Sequence, residues 1–156
     1  MKTSIFLPIS IIFTLFVGCA STESPSTTPT VSPTVVLELT QFGVTAAGTA
    51  VSIAVVELVD PSNKSGTAND ILTIDAALLT LLNGTIPTAT QIDTVMASFK
   101  SNASTTNYAN IAQQVSSALQ SQLSTWEKSG ATATEITQYA TWFISGTQLG
   151  AAALSK

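Results

Sequence analysis

Apolar residues recur at helical spacing in five segments of the chain after residue 34. Apolar positions at i, i+3, i+4 and i+7 lie along one side of a helix. The first segment covers about 35–59 and is apolar on nearly every side, which predicts a central core helix. Its many Val, Thr and Ile residues leave a strand over Val51–Val59 as the alternative. Asp60-Pro61 is expected to end the segment.

Polar stretches separate the later segments. Residues 61–68 read as a loop, and the second helix is expected to begin near residues 69–70, where Asn and Asp are good N-caps. Gly84 is expected just after its end. The fourth helix is predicted from a continuous apolar stripe over 108–126, and Gly130 is expected to end it.

Two predicted helices begin with the residue spacing of a capping box. In this motif a Ser or Thr is followed three residues later by a Glu or Gln, and each side chain accepts a hydrogen bond from the backbone N–H of the other residue. Thr88 and Gln91 open the third helix in this way, and Thr132 and Glu135 open the fifth. Glycine weakens a helix interior. The later turns of the fifth helix contain two such residues, Gly146 and Gly150.

Five amphipathic helices joined by short loops predict an all-α fold, a small antiparallel helical bundle over 35–156. Many positions within these helices are Thr or Ser, whose helix propensity is mediocre. Packing between helices must therefore stabilise the fold.

The residues before 35 have a different pattern. Lys2 is followed by an apolar run over Ile5–Val17, as in a secretory signal. The run is short for a membrane span, so an uncleaved anchor helix is the less favoured alternative. Ala20–Thr34 consists mostly of Ser, Thr and Pro and cannot bury enough apolar surface to fold, which predicts a disordered, semi-extended tether.

Between these two segments lies Phe16-Val17-Gly18-Cys19, which resembles the lipobox of bacterial lipoproteins. The resemblance implies that residues 1–18 are a signal peptide removed by cleavage, and that 19–34 are a lipidated cysteine and linker. Cys19 Sγ would carry a diacylglyceryl group, and its freed amine is often acylated too. Two or three fatty chains make dissociation from a bilayer negligible. Ala20 and Ser21, rather than Asp, follow the cysteine, which favours the outer membrane in a host with two membranes.

Composition restricts the chemistry. The chain has five lysines, no arginine, no histidine, nine acidic residues and one cysteine, with a formal net charge of −4. Loss of Lys2 with the signal leaves four lysines against nine acids, or −5. This acidic balance disfavours nucleic acid and anionic lipid as partners. Without histidine no Ser-His-Asp or Cys-His arrangement can form, and a lipidated Cys19 is no nucleophile. No cofactor and no metal site are predicted.

Acidic residues are the remaining candidates for chemistry. Asp60, Asp70 and Asp75 lie in or beside the predicted 61–68 loop, which suggests a calcium loop. An EF-hand pattern that starts at Asp60 would place Lys64 at a ligand position, so ordinary caps and solubilising charges are favoured. Asp75 and Asp93 are also candidates, as an acid–base pair. Both lie near predicted helix N-termini, where an acidic residue offsets the helix dipole, so this pair is no better supported than the calcium loop.

Small residues recur every four positions in the first helix, at Gly43 with Ala47 and Ala46 with Ala50. They suggest either a membrane-embedded dimer face or close packing inside a soluble bundle, and the second is favoured because several Thr would be poorly placed in lipid. Trp126 and Trp142 are expected at the edge of the core rather than as partner anchors.

The leading hypothesis is a lipid-anchored helical domain of the cell envelope with a non-enzymatic binding or structural role. Its partners would be the membrane, through the lipid on Cys19, and an envelope protein or peptidoglycan. The alternative is a membrane-active or self-assembling protein that inserts through 39–56, which is uncharged. An enzyme that uses carboxylates alone is the third hypothesis.

Overall fold

The chain folds into five α-helices in the part that the computed structural model describes, which is residues 33–83, 85–102 and 106–156. No strand occurs among these residues, so the predicted all-α bundle is confirmed and the strand alternative at Val51–Val59 is wrong. The helices are α1 (Pro33–Val59), α2 (Lys64–Leu81), α3 (Ala89–Asn102), α4 (Thr106–Lys128) and α5 (Ala133–Leu154).

Helices α3 and α4 run antiparallel, with Gln120 bonded to Asp93 and Phe99 against Tyr108, whereas the first and last helices are parallel. Antiparallel α2 and α5 are joined by hydrogen bonds from Ser65 to the Ser155 carbonyl and between Thr147 and Asp75. The order of contacts between α1 and α5 is the opposite: Gly146 faces Thr45, and the later Gly150 faces Thr49 and Ser52. Parallel α1 and α5 therefore close the bundle by bringing together its first and last helices.

The core lies between α2, α4 and α5, and α3 adds Ile92 and Met96 to it. It is filled by apolar side chains with almost no exposed surface, among them Ile71, Ile74, Leu78, Ile111, Leu119, Phe143 and Ile144. From α1 only Val55 and Val56 are large apolar residues that are buried. The expectation that the first helix is central to the core is therefore wrong, because only one side of α1, from Val44 to Val59, packs on the core while the other side is exposed.

Helix ends follow local capping chemistry. Helix α2 starts earlier than predicted, because Asn63 Oδ1 accepts a hydrogen bond from the Gly66 backbone at 3.2 Å and caps it. Lys64–Ala68 is therefore helical, and the loop predicted over 61–68 is confined to its first residues. The end predicted at Gly84 lies outside the described residues. After α4, Gly130 has φ of 82°, the left-handed conformation expected of a glycine there.

Both predicted capping boxes are present. At α3, the Thr88 backbone donates to Gln91 Oε1 at 2.8 Å and the Gln91 backbone donates to Thr88 Oγ1 at 3.3 Å. At α5, Thr132 and Glu135 make the same reciprocal pair. Hydrogen bonds from the Thr132 backbone and hydroxyl lower the pKa of Glu135.

Removal of the second box should weaken the domain measurably. We expect Thr132→Ala to reduce the free energy of unfolding by about 1 kcal/mol, because one helix N-cap is lost. The same change should raise the pKa of Glu135 towards its ordinary value. Urea unfolding and carboxyl titration by NMR measure the two effects. Thr134→Ala, at an exposed position in the same turn, is the control and should stay within about 0.5 kcal/mol of the wild type.

Candidate functional site

The crossing of α1 and α5 decides which side of α1 is left on the surface. A Cβ atom at Gly48 would overlap the carbonyl oxygen of Phe143, and one at Gly146 would overlap the carbonyl oxygen of Thr45. The two backbones therefore approach as closely as glycine permits. Across the same contact, Thr49 Oγ1 donates to the Gly146 carbonyl at 3.0 Å. This contact fixes the rotation of α1 about its own axis.

The small residues that make this contact are not the ones that the sequence pattern suggested for close helix packing. Of the predicted pairs, Ala47 is half-buried, whereas Gly43, Ala46 and Ala50 are exposed. The glycines of α5, expected only to weaken the helix, make the close approach to α1. Their four-residue spacing, the recurring sign of tight helix pairs, was the signal that could have identified them.

The opposite side of α1 forms an uncharged apolar strip, here called the α1 outer face. All of its members are exposed: Leu39, Phe42, Gly43, Ala46, Ala50 and Ile53. Phe42 is 74% exposed and Leu39 is 65% exposed, so neither packs appreciably against the bundle. No charged residue occurs between Glu38 and Glu57. Exposed apolar patches of this kind are uncommon on soluble domains and mark surfaces that contact something else.

Helix α1 also passes a test of length and composition for a membrane span. Among the described helices, only α1 is long and apolar enough to cross a membrane, over Val36–Val59. Of its most apolar 18-residue segment, 22% is buried inside the structure. The buried residues include Gly48, Ser52 and Val56, which form the side that contacts the bundle. The first part of α1 lacks such a side, because 36–39 and 41–43 are exposed all round.

The acids considered for a calcium loop lie in three different environments. Asp60 accepts hydrogen bonds from Ser62 Oγ at 2.6 Å and Asn107 Nδ2 at 3.0 Å, and these lower the pKa of its carboxyl. Asp70 is half-buried on α2, and burial raises the pKa of its carboxyl. Asp75 lies in the core. Nowhere in the described ranges do three His, Cys, Asp or Glu residues gather as a metal site would require.

Asp75 is the most unusual polar residue of the bundle. It is fully buried, its Oδ2 lies 2.6 Å from Thr147 Oγ1, and Thr147 Oγ1 lies 2.7 Å from the Ile144 carbonyl. A hydroxyl has one hydrogen to donate. The one hydrogen of Thr147 is therefore shared between Asp75 Oδ2 and the Ile144 carbonyl, so Asp75 receives only part of one hydrogen bond, which suits a neutral carboxyl better than a charged one.

The surroundings of Asp75 favour this neutral form. Burial raises the pKa of the carboxyl to about 7, although the hydrogen bond with Thr147 acts in the opposite direction. Within the described part of the chain, Oδ1 has no hydrogen-bond partner and could not stabilise a negative charge. Because its side chain has no exposed surface, we assign Asp75 to the core of the bundle.

The remaining candidates do not form a joint site. Asp93, proposed with Asp75 as an acid–base pair, is exposed and accepts a hydrogen bond from Gln120 at 3.1 Å. Trp126 is buried with its ring edge-on to Phe143 and Tyr139, so its predicted place at the core is confirmed. Trp142 is half-buried beside Tyr139.

Cys19, the predicted lipidation site, lies outside the described residues. No family model matches the chain, and neither does a curated protein or a solved structure.

Proposed function

We propose that this chain is a bacterial lipoprotein, held in the membrane by lipid on Cys19, whose helical domain has a non-enzymatic binding or structural role at the cell envelope. The observation that carries the proposal is the exposed apolar surface at the start of α1, directly after the tether. A domain that is released into solution gains nothing from such a surface, whereas a domain held beside a partner can use it.

The residue inventory supports a non-enzymatic role. The chain has no histidine and no arginine, which are the residues most used for proton transfer and for binding anionic substrates. Its acids are separated, since Asp75 is buried while Asp93 is on the surface. The mature charge of −5 favours partners other than nucleic acid. An envelope protein or peptidoglycan remains a candidate partner besides the membrane itself.

The alternative, insertion of 39–56 across a membrane, has a specific cost. The side of α1 that contains Gly48 and Ser52 is packed against α5, with Thr49 bonded to the Gly146 carbonyl. Insertion would break this contact and would uncover the part of α5 around the buried Thr147, whose backbone lies against Gly48. We therefore favour a bundle that keeps α1 and lies beside the membrane.

Lipid attachment is the first result to test. Grown with an alkyne analogue of palmitate, cells that express the full chain should yield a labelled protein, and Cys19→Ser should remove all of the label. Ser21→Ala, two residues away, is the matched control and should label as the wild type does. Mass spectrometry of the wild type should find Cys19 as the first residue of the mature protein. Equal labelling of the Cys19→Ser chain, or none in the wild type, contradicts the anchor.

A further inference from the structure

The α1 outer face is a surface without means of polar recognition. Its side chains are those of Leu, Phe, Gly, Ala and Ile, which neither donate nor accept hydrogen bonds. The neighbouring hydroxyl of Thr40 is already bonded to the Val36 carbonyl at 2.9 Å, within the helix. A polar partner such as a glycan would find no group to bind here. The chemistry of this face suits an apolar phase.

The position of the face along the chain points to one such phase. Thirteen residues, 20–32, separate Cys19 from the first residue of α1. At about 3.1 Å per residue this segment spans at most roughly 40 Å, so the start of α1 stays within that distance of the lipid. A short tether gives its two ends an effective concentration in the millimolar range. Even a weak apolar contact between α1 and the bilayer would then be occupied.

The fold permits this contact without unfolding. Gly43 has no atom within 4 Å of the place where its Cβ would be, and Phe42 and Leu39 extend into open space beside it. The opposite side of α1 stays packed on α5 through Gly48. Apolar side chains exposed along one side of a helix can be buried among the acyl chains while the helix lies in the membrane plane.

We propose that the α1 outer face lies on the bilayer that holds the lipid of Cys19, so that α1 rests in the membrane plane and orients the bundle. This inference rests on the proposed anchoring of Cys19. It differs from insertion of 39–56, because α1 keeps its contact with α5. The exposed surface of α4 is polar and includes Gln113, Gln114 and Ser117, so it is not the surface proposed to lie on the membrane.

The test places a fluorescent probe on each side of the bundle. Because a lipidated Cys19 has no free thiol, Ala46→Cys and Gln114→Cys can each be labelled with a nitrobenzoxadiazole dye in the full, mature chain. Both positions are exposed, so the dye should not disturb the core. In dioleoylphosphatidylcholine vesicles we expect a blue-shifted emission at position 46 that lipids with a doxyl group quench. Neither effect is expected at 114.

A third variant distinguishes membrane contact by the α1 outer face from membrane attachment through the lipid on Cys19. Leu39→Gln with Phe42→Gln, added to Ala46→Cys, leaves the charge and Cys19 unchanged. It should still float with the vesicles while the doxyl quenching at position 46 is lost. Water-like emission at 46 in the otherwise unchanged chain overturns the proposal. So does a blue shift that doxyl lipids do not quench, since a second copy of the chain then covers the face. A chain that fails to float contradicts the anchor itself, and this inference falls with it.

Discussion

Gly48→Ala should cost the domain about 2–3 kcal/mol of unfolding free energy, although it adds a single methyl group to a helix. Alanine is normally the better helix residue, by about 1 kcal/mol. Here its Cβ would overlap the carbonyl oxygen of Phe143 and lie 3.0 Å from the Thr147 backbone nitrogen. Since both neighbours are backbone atoms, no side chain can rotate away, and α1 must move off α5.

The chain provides a matched control on the same helix. Gly43→Ala makes the same chemical change at a position with nothing within 4 Å, and it should stabilise the domain by up to about 1 kcal/mol. The measurement is urea or thermal unfolding of residues 32–156, which form one compact unit, followed by circular dichroism. A loss of 2–3 kcal/mol corresponds to a melting temperature lower by roughly 10 °C. Equal behaviour of the two variants would show that α1 and α5 are not in backbone contact.

Stability should fall as the pH rises from about 4 to about 7. Asp75 has a folded pKa of about 7 against an ordinary value of 3.8, so the folded state holds a proton that the unfolded state releases over this range. The native state is thus favoured at low pH and loses that advantage as the pH passes its folded pKa. A shift of this size amounts to about 4 kcal/mol across the window. Asp70, whose pKa burial also raises, acts in the same direction.

Asp75→Asn should abolish most of this slope. The amide keeps the size of the side chain and cannot ionise, but its extra N–H hydrogens lack partners in the core, which costs about 1–3 kcal/mol at pH 5. At pH 8 the variant should be more stable than the wild type, because the buried charge is gone. Urea titrations at pH 4, 5, 6, 7 and 8 measure both chains. The control Asp93→Asn removes an acid from the surface and should keep the slope. A wild type whose stability is constant over this range would contradict a neutral Asp75.

Features with a local cause were predictable from the sequence. The two capping boxes and the left-handed Gly130 depend on residues within one turn, and all three occur as expected. The start of α2 was not predictable, since Asn63 and Asn69 are equally good caps by themselves. The earlier start is supported by distant partners: the Lys64 side chain pairs with Glu57 at 2.5 Å, and Ser65 reaches α5.

The surface proposed to contact the membrane was the hardest feature to predict. A helix that is apolar on nearly all sides has no periodicity to show which side faces inwards. That choice is made by the fit between Gly48 and the glycines of α5, which is a relation between segments far apart in sequence. The lipidation proposed at Cys19 stays a prediction from the sequence, since it depends on the apolar run before the cysteine and on the resemblance to a lipobox.

The parallel pairing of the first and last helices also affects how the chain comes to be folded. Thr49 and the carbonyl it binds on α5 are 97 residues apart, so this contact closes a loop of nearly the whole domain. Contacts of such high sequence separation form slowly, because a large loop entropy is lost before they are gained. During synthesis, α1 therefore lacks its most extensive partner until α5, the last helix, has been made. The complete fold forms only when nearly the whole domain is available, so a helix made first is among the last to reach its final packing.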